Sequence, residues 1–147
     1  MILCDVSVLL NAYFTGAKHH RVCRDALEHL RSSEQTFAIL DHILASVVRI
    51  ATHPKVFKPP ATAAEIFAFL NMLRRDDEIV VLVPGKRHWT IFQDLVEATA
   101  VSGSDVTDAW LAAAAMEHGC EWWTTDGGFA RFPGLRQRNL LAAPLVP

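Results

Sequence analysis

The chain has 147 residues, 51% hydrophobic and 20% charged, with a formal net charge of −2. That length suffices for one domain, expected over residues 1–147, with a core of its own. The balance excludes a disordered polar chain and a uniformly basic coat for nucleic acid, but leaves room for a local basic patch. No uncharged apolar run reaches the roughly 18 residues that cross a bilayer, so no membrane span is expected.

The start MILCDVSVLL lacks a basic segment before its apolar run, and an aspartate interrupts that run, so no secretory signal is expected. Met1 to Asp5 reads as a short buried strand, and Val6 to Phe14 as a helix ending near Thr15-Gly16. A second helix is expected from His20 to Arg31, and Thr36 to Leu40 (TFAIL) as the second strand. Asp41 suits the N-cap of a helix over Ile43 to Ala51, which His53-Pro54 closes. Lys55 to Pro60 is a loop. Thr62 with Glu65 has capping-box spacing for the next helix, which ends in Arg74-Arg75-Asp76-Asp77-Glu78. Ile79 to Val83 is the third strand, and Pro84-Gly85 its turn. Arg87 to Ala100 and Val106 to Glu117 read as helices, the latter stopped by Gly119. Trp122 to Thr125 is the fourth strand, followed by Asp126-Gly127-Gly128, a helical turn around Phe129 and a last apolar piece from Leu140 to Val146.

Strands separated by helices, with no hairpin signal, imply a mostly parallel sheet covered on both faces. The expected fold is a single three-layer α/β/α domain with four or five strands. Cys4, Cys23 and Cys120 show no metal-ligand spacing and sit among apolar neighbours, so they read as buried thiols of a cytoplasmic protein.

In parallel α/β sheets, ligands bind beyond the carboxyl ends of the strands. Asp5 follows the first strand and Asp126 the fourth. Asp108 lies in the first turn of the helix before the fourth strand, and such a helix begins at that same edge. Asp105, three residues earlier, faces the same way. Gathered carboxylates repel one another unless a cation lies between them. An all-oxygen set suits Mg²⁺ or Mn²⁺, which can promote hydrolysis of a phosphodiester without a side-chain nucleophile. Each aspartate taken alone has a plainer reading. Asp5 could cap a helix, Asp105 and Asp108 could answer the helix dipole, and Asp126 could serve a turn.

MILCDVSVLLNA, VRIATHPKVF (Val48 to Phe57), SDVTDAWLAAAAMEHG (Ser104 to Gly119) and TTDGGFARFPGL fall in register over nearly the whole chain, and the sequence resembles VapC-type PIN-domain toxins. The resemblance implies a Mg²⁺- or Mn²⁺-dependent endoribonuclease toxin, a VapB-like antitoxin partner, an RNA substrate such as tRNA, and a tendency to form homodimers. It assigns catalytic and metal-binding roles to Asp5, Asp108 and Asp126. Many PIN domains carry a glutamate where this chain has Ser46, which points to one firmly held metal, with Asp105 as a candidate substitute. Arg49 is read first as a charge partner of the acids and second as a phosphate contact. Thr107 and Thr125 adjoin two of the aspartates and could bond their carboxylates or serve local structure.

A basic track for RNA is available in Lys55, Lys58, Lys86, Arg87, Arg131, Arg136 and Arg138. Trp89 is a candidate for stacking on bases, whereas Trp110, Trp122 and Trp123 are expected in the core. Leu9, Leu10, Phe14, Val22 and Leu27 serve either the core or a groove for an antitoxin helix. Two other functions compete. One is an RNA-binding or regulatory PIN-like module with little or no catalysis, which Ser46 supports. The other is a phosphoacceptor receiver domain, which WWTTD disfavours by lacking a lysine at the strand end.

Overall fold

A computed structural model describes residues 1–75 and 79–142. Five parallel strands are ordered β3-β2-β1-β4-β5, with β1 Ile2–Cys4 at the centre. Its neighbours are β2 Phe37–Leu40 and β4 Glu121–Thr124, and the edges are β3 Val80–Leu82 and β5 Gln137–Asn139. The helices are α1 Val6–Tyr13, α2 His20–Ser32, α3 Asp41–Ala51, α4 Ala63–Arg74, α5 His88–Thr99 and α6 Asp105–Glu117. The expected three-layer α/β/α architecture is therefore observed.

Each departure from the sequence reading has a physical reason. Asp41 is the first residue of α3 rather than its cap, and its carboxylate pairs with Arg74 across the α3–α4 groove. Strand β5 is polar (QRN) and half-buried, so it carried no hydrophobic signal; it is held at the edge by pairing with β4. The apolar piece expected from Leu140 to Val146 lies outside the described residues beyond residue 142, as does the charged run at 76–78. Leu9, Leu10 and Leu27 are buried, and Phe14 and Val22 pack on the same core, so the early helices spend their apolar faces inside the molecule. Cys4, Cys23 and Cys120 are buried free thiols, and burial pushes each of them up in pKa.

Two polar devices fix local structure. Thr62 and Glu65 form the expected reciprocal capping box at the start of α4. At the far end of α6, Gly119 takes φ 65°, the left-handed conformation that ends a helix at little cost in glycine. Two residues earlier, Glu117 accepts backbone N–H bonds from Gly85 (2.7 Å), Arg87 (2.9 Å) and His88 (3.0 Å). Partial burial opposes its charge, but these donors outweigh that and hold its pKa below the ordinary carboxylate range. The turn between β3 and α5 is thereby tied to α6.

Replacing Glu117 by Ala is expected to cost roughly 2–3 kcal/mol, measured by urea denaturation at pH 7. Because the folded-state pKa is depressed, this contribution is present above the unfolded pKa and is lost as pH falls through the folded value. The difference between Glu117→Ala and the parent should therefore shrink below about pH 4.5.

Candidate active site

Asp5 ends β1, the central strand, and is only 6% exposed. Its backbone N–H donates to the Trp123 carbonyl at 2.8 Å, continuing the β1–β4 ladder past Cys4. Burying a carboxylate is costly unless it is hydrogen-bonded. Here Ser7 Oγ and Thr124 Oγ1 both donate to Asp5 Oδ2, each at 2.7 Å. Burial pushes the Asp5 pKa upward and Asp126 adds repulsion, while the two hydroxyls pull in the opposite sense.

Thr124 is fully buried and works in two directions. It donates to Asp5 and accepts the Asp126 backbone N–H at 2.9 Å. Asp126 then caps the 3-10 turn Gly127–Arg131, its Oδ1 accepting from Gly128 N–H at 2.7 Å. Arg131 closes the turn by donating from Nε to the Gly128 carbonyl (2.7 Å) and pairs with Asp105 at the start of α6. A Cβ on Gly128 would fall 2.6 Å from the Arg131 guanidinium and 3.1 Å from Asp126 Oδ1, so a larger residue there would require the Arg131 side chain to shift. The chain of bonds Asp5–Thr124–Asp126–Gly128–Arg131–Asp105 ties the ends of β1 and β4 to the first turn of α6.

These elements border a cavity of about 370 Å³ lined by Asp5, Ser7, Ser46, Arg49, Ser104, Thr107, Asp108 and Asp126, with apolar walls that include Leu10 and Phe129. Asp108 shows the electrostatics most clearly. Desolvation first, then Asp5, Asp126 and Asp105, push its pKa up to about 6, against a smaller opposing pull from Arg131. Among the described residues, no group of three or more His, Cys, Asp or Glu side chains stands close enough together, as the side chains are placed, to hold a metal ion. The lining donors are oxygens apart from the Arg49 guanidinium. An open, oxygen-only, mutually repelling set fits a hard divalent ion that keeps places for water and phosphate.

Asp5, Asp108, Asp126, Ser46, Arg49 and Thr107 thus line one cavity. Other expectations change. The threonine bonded to Asp5 is Thr124, whereas Thr125 offers its backbone N–H to Ser7 Oγ at 3.2 Å. Asp105 is not in the lining and is engaged by Arg131. Arg49 is exposed and, among the described residues, makes no ion pair, so Arg131 rather than Arg49 is the cation set against the acids. Arg136 and Arg138, grouped above with an RNA track, bond to the Gly119 carbonyl and to Glu121 respectively.

A family model for the PIN domain matches residues 2–135. Ribonuclease VapC43 of Mycobacterium tuberculosis is 34% identical over 141 residues, covering 96% of each chain. This chain belongs to the PIN-domain family, in its VapC ribonuclease branch. Ribonuclease VapC25 of the same organism is 32% identical over 136 residues, covering 92% of this chain and 96% of that one. The structure of VapBC2 from Rickettsia felis bound to a DNA fragment from its promoter superposes with a TM-score of 0.68 at 17% identity. That match covers 94% of this chain and 98% of the other, and extends the agreement in fold. Membership in the PIN family sets the receiver-domain reading aside.

Ser7 and Thr124 escaped the sequence reading. The usable signal was the register: in parallel strands the residue after Cys4 lies opposite the one after Trp123, and that residue is Thr124.

Thr124→Val keeps the shape but strips a donor from Asp5 and an acceptor from the Asp126 N–H, and should cost about 2 kcal/mol in urea denaturation at pH 7.5. Asp108 acts in the opposite sense. Its folded pKa, about 6, stands above the unfolded value of 3.8, so the folded state is penalised progressively as pH rises through that interval and fully above it. Asp108→Asn should therefore raise Tm by roughly 2–4 °C at pH 7.5 without added metal, and the gain should fade by pH 4 in a thermal melt series.

Proposed function

We propose that this protein is a metal-dependent endoribonuclease, the toxin of a VapBC-like toxin–antitoxin pair, and that residues 1–147 form one PIN unit. The observation that carries the reading is the convergence of Asp5, Asp108 and Asp126 on one cavity at the carboxyl edge of the sheet. Asp5, Asp108 and Asp126 would hold a single Mg²⁺ or Mn²⁺, which when bound neutralises charge on a phosphodiester and eases attack by water. Ser46 and Thr107 add neutral hydroxyls to the lining and leave one carboxylate triad as the charged set. Asp105 is assigned to Arg131 rather than to the metal.

The chain's own residues then have distinct tasks. Ser7 and Thr124 hold the Asp5 carboxylate in one orientation, so it need not reorganise when charge develops nearby. Arg49, exposed at the cavity, is free to hold a non-bridging phosphate oxygen by charge-assisted hydrogen bonds. Arg131 offsets part of the negative potential and keeps the Asp126 turn closed. The apolar walls formed by Leu10, Leu111 and Phe129 limit water around the acids, which strengthens every charge interaction among them.

The VapC relationship and the antitoxin complexes among proteins of this fold support a VapB-like antitoxin as partner. Structured RNA such as tRNA is the substrate class to test first, and a homodimer the assembly. Among the described residues, no helix is long and apolar enough to cross a membrane.

Purified protein should cleave RNA with Mg²⁺ or Mn²⁺ and stop in EDTA. Asp5→Ala and Asp108→Ala should each lower the rate at least about 100-fold. The metal should also raise the Tm of the parent and leave that of Asp108→Asn nearly unchanged, a linkage that does not depend on turnover. Equal residual cleavage in parent and variants would instead favour an RNA-binding module without catalysis, the reading compatible with Ser46.

A further inference from the structure

Beside the acidic cavity lies a second one of about 390 Å³, lined by His42, Phe92, Val106, Thr107 and Trp110. Thr107 lines both, so the two cavities adjoin. The same two helices border each. Helix α3 presents His42 to the second and Ser46 and Arg49 to the first, at i, i+4 and i+7. Helix α6 presents Val106 and Trp110 to the second, and Asp108 and Leu111 to the first.

The chemistry changes sharply across Thr107. The first cavity gathers carboxylates, whereas the lining of the second contains none and is dominated by ring faces. His42 stands against Trp110 with ring centroids 4.7 Å apart, and His88 meets Trp110 edge-on at 4.6 Å. The aromatic run continues through Phe92 to Trp89, which is 62% exposed. His88 is buried and donates from Nε2 to the Trp110 carbonyl at 3.0 Å, so α5 braces the segment that carries Trp110. Trp110, expected in the core from sequence, is only partly buried and forms a wall of this cavity. Its volume falls in the range that takes a small organic ring system.

We infer that this aromatic cavity is a nucleobase subsite: it takes one unpaired base of the RNA whose phosphodiester lies in the acidic cavity, with the base stacked against His42 and Trp110. The inference rests on the ribonuclease reading and adds the substrate form, a nucleotide splayed from a loop or single strand. Flat, uncharged rings stack on aromatic faces irrespective of base identity, so the subsite demands an unpaired base more strongly than a particular one. A peptide partner would need a different complement, because the lining offers no acid to meet a basic side chain.

Binding in EDTA, where nothing is cleaved, isolates the subsite from catalysis. The probes are fluorescein-labelled single-stranded eight-nucleotide oligomers of adenosine or uridine, and an abasic ribose-phosphate oligomer of the same length and charge. The parent should bind the base-bearing oligomers about 10-fold more tightly than the abasic one. His42→Ala and Trp110→Leu should shrink that preference to less than about 3-fold. Trp110→Phe, which retains a ring, should keep most of it, and Phe67→Ala on the exposed face of α4 should leave it intact. His42 is exposed, so its variant tests the subsite even if Trp110→Leu fails to fold. Equal affinity of the parent for abasic and base-bearing oligomers, or an equal loss in Phe67→Ala, would overturn the proposal and leave the shelf to a peptide partner. Base-dependent binding without any metal-dependent cleavage would sustain the subsite while sinking the nuclease reading.

Discussion

A carboxylate held out of solvent at the end of the central strand is the constraint around which this fold is arranged. Asp5 cannot turn away from the sheet, because its backbone is paired to β4 and its side chain is gripped by Ser7 and Thr124. Its charge is felt by Asp108, and it is itself repelled by Asp126; both stand on elements that topology delivers to the same edge. The energetic conflict is local, and the support against it is spread along bonds reaching Arg131 and α6. Natural proteins accept such conflict mostly where binding or chemistry requires it.

The helices on either side convert that edge into a cleft with two chemically distinct ends. Asp108 and Trp110 are two residues apart on α6, so a single helix sets the distance between the acids and the aromatic wall. Glu117 fastens the far end of that helix to the turn before α5, and His88 fastens its middle to α5 itself. Helices α5 and α6 therefore form one wall, and α3 forms the opposing one.

The sequence carried most of this architecture because its signals were local and redundant. Continuous apolar runs at ILC and FAIL marked buried parallel strands, and Thr62 with Glu65 marked a helix start. The convergence of Asp5, Asp108 and Asp126 followed from strand direction alone. What stayed hidden depended on register or on pairing across elements. Thr124 and Thr125 are adjacent and chemically alike, and only the pairing of Cys4 with Trp123 decides which one faces Asp5. The sequence pointed to Arg49 as the partner of the acids and placed Arg131 only in a basic track, whereas the turn at Gly127–Arg131 brings Arg131 to Asp105. Strand β5 has no apolar pattern because it sits at an edge where β4 supplies its order.

The distribution of tryptophan has an optical consequence. Trp122 and Trp123 are 0% and 2% exposed on β4, directly before Thr124, while Trp110 borders the aromatic cavity and Trp89 faces solvent. Indoles in such different surroundings emit at different wavelengths, the buried pair toward the blue and Trp89 toward the red. The folded protein therefore carries its own spectroscopic coordinates. Loss of the sheet edge would register in the blue component, whereas occupation of the cleft would quench Trp110 and leave that component standing.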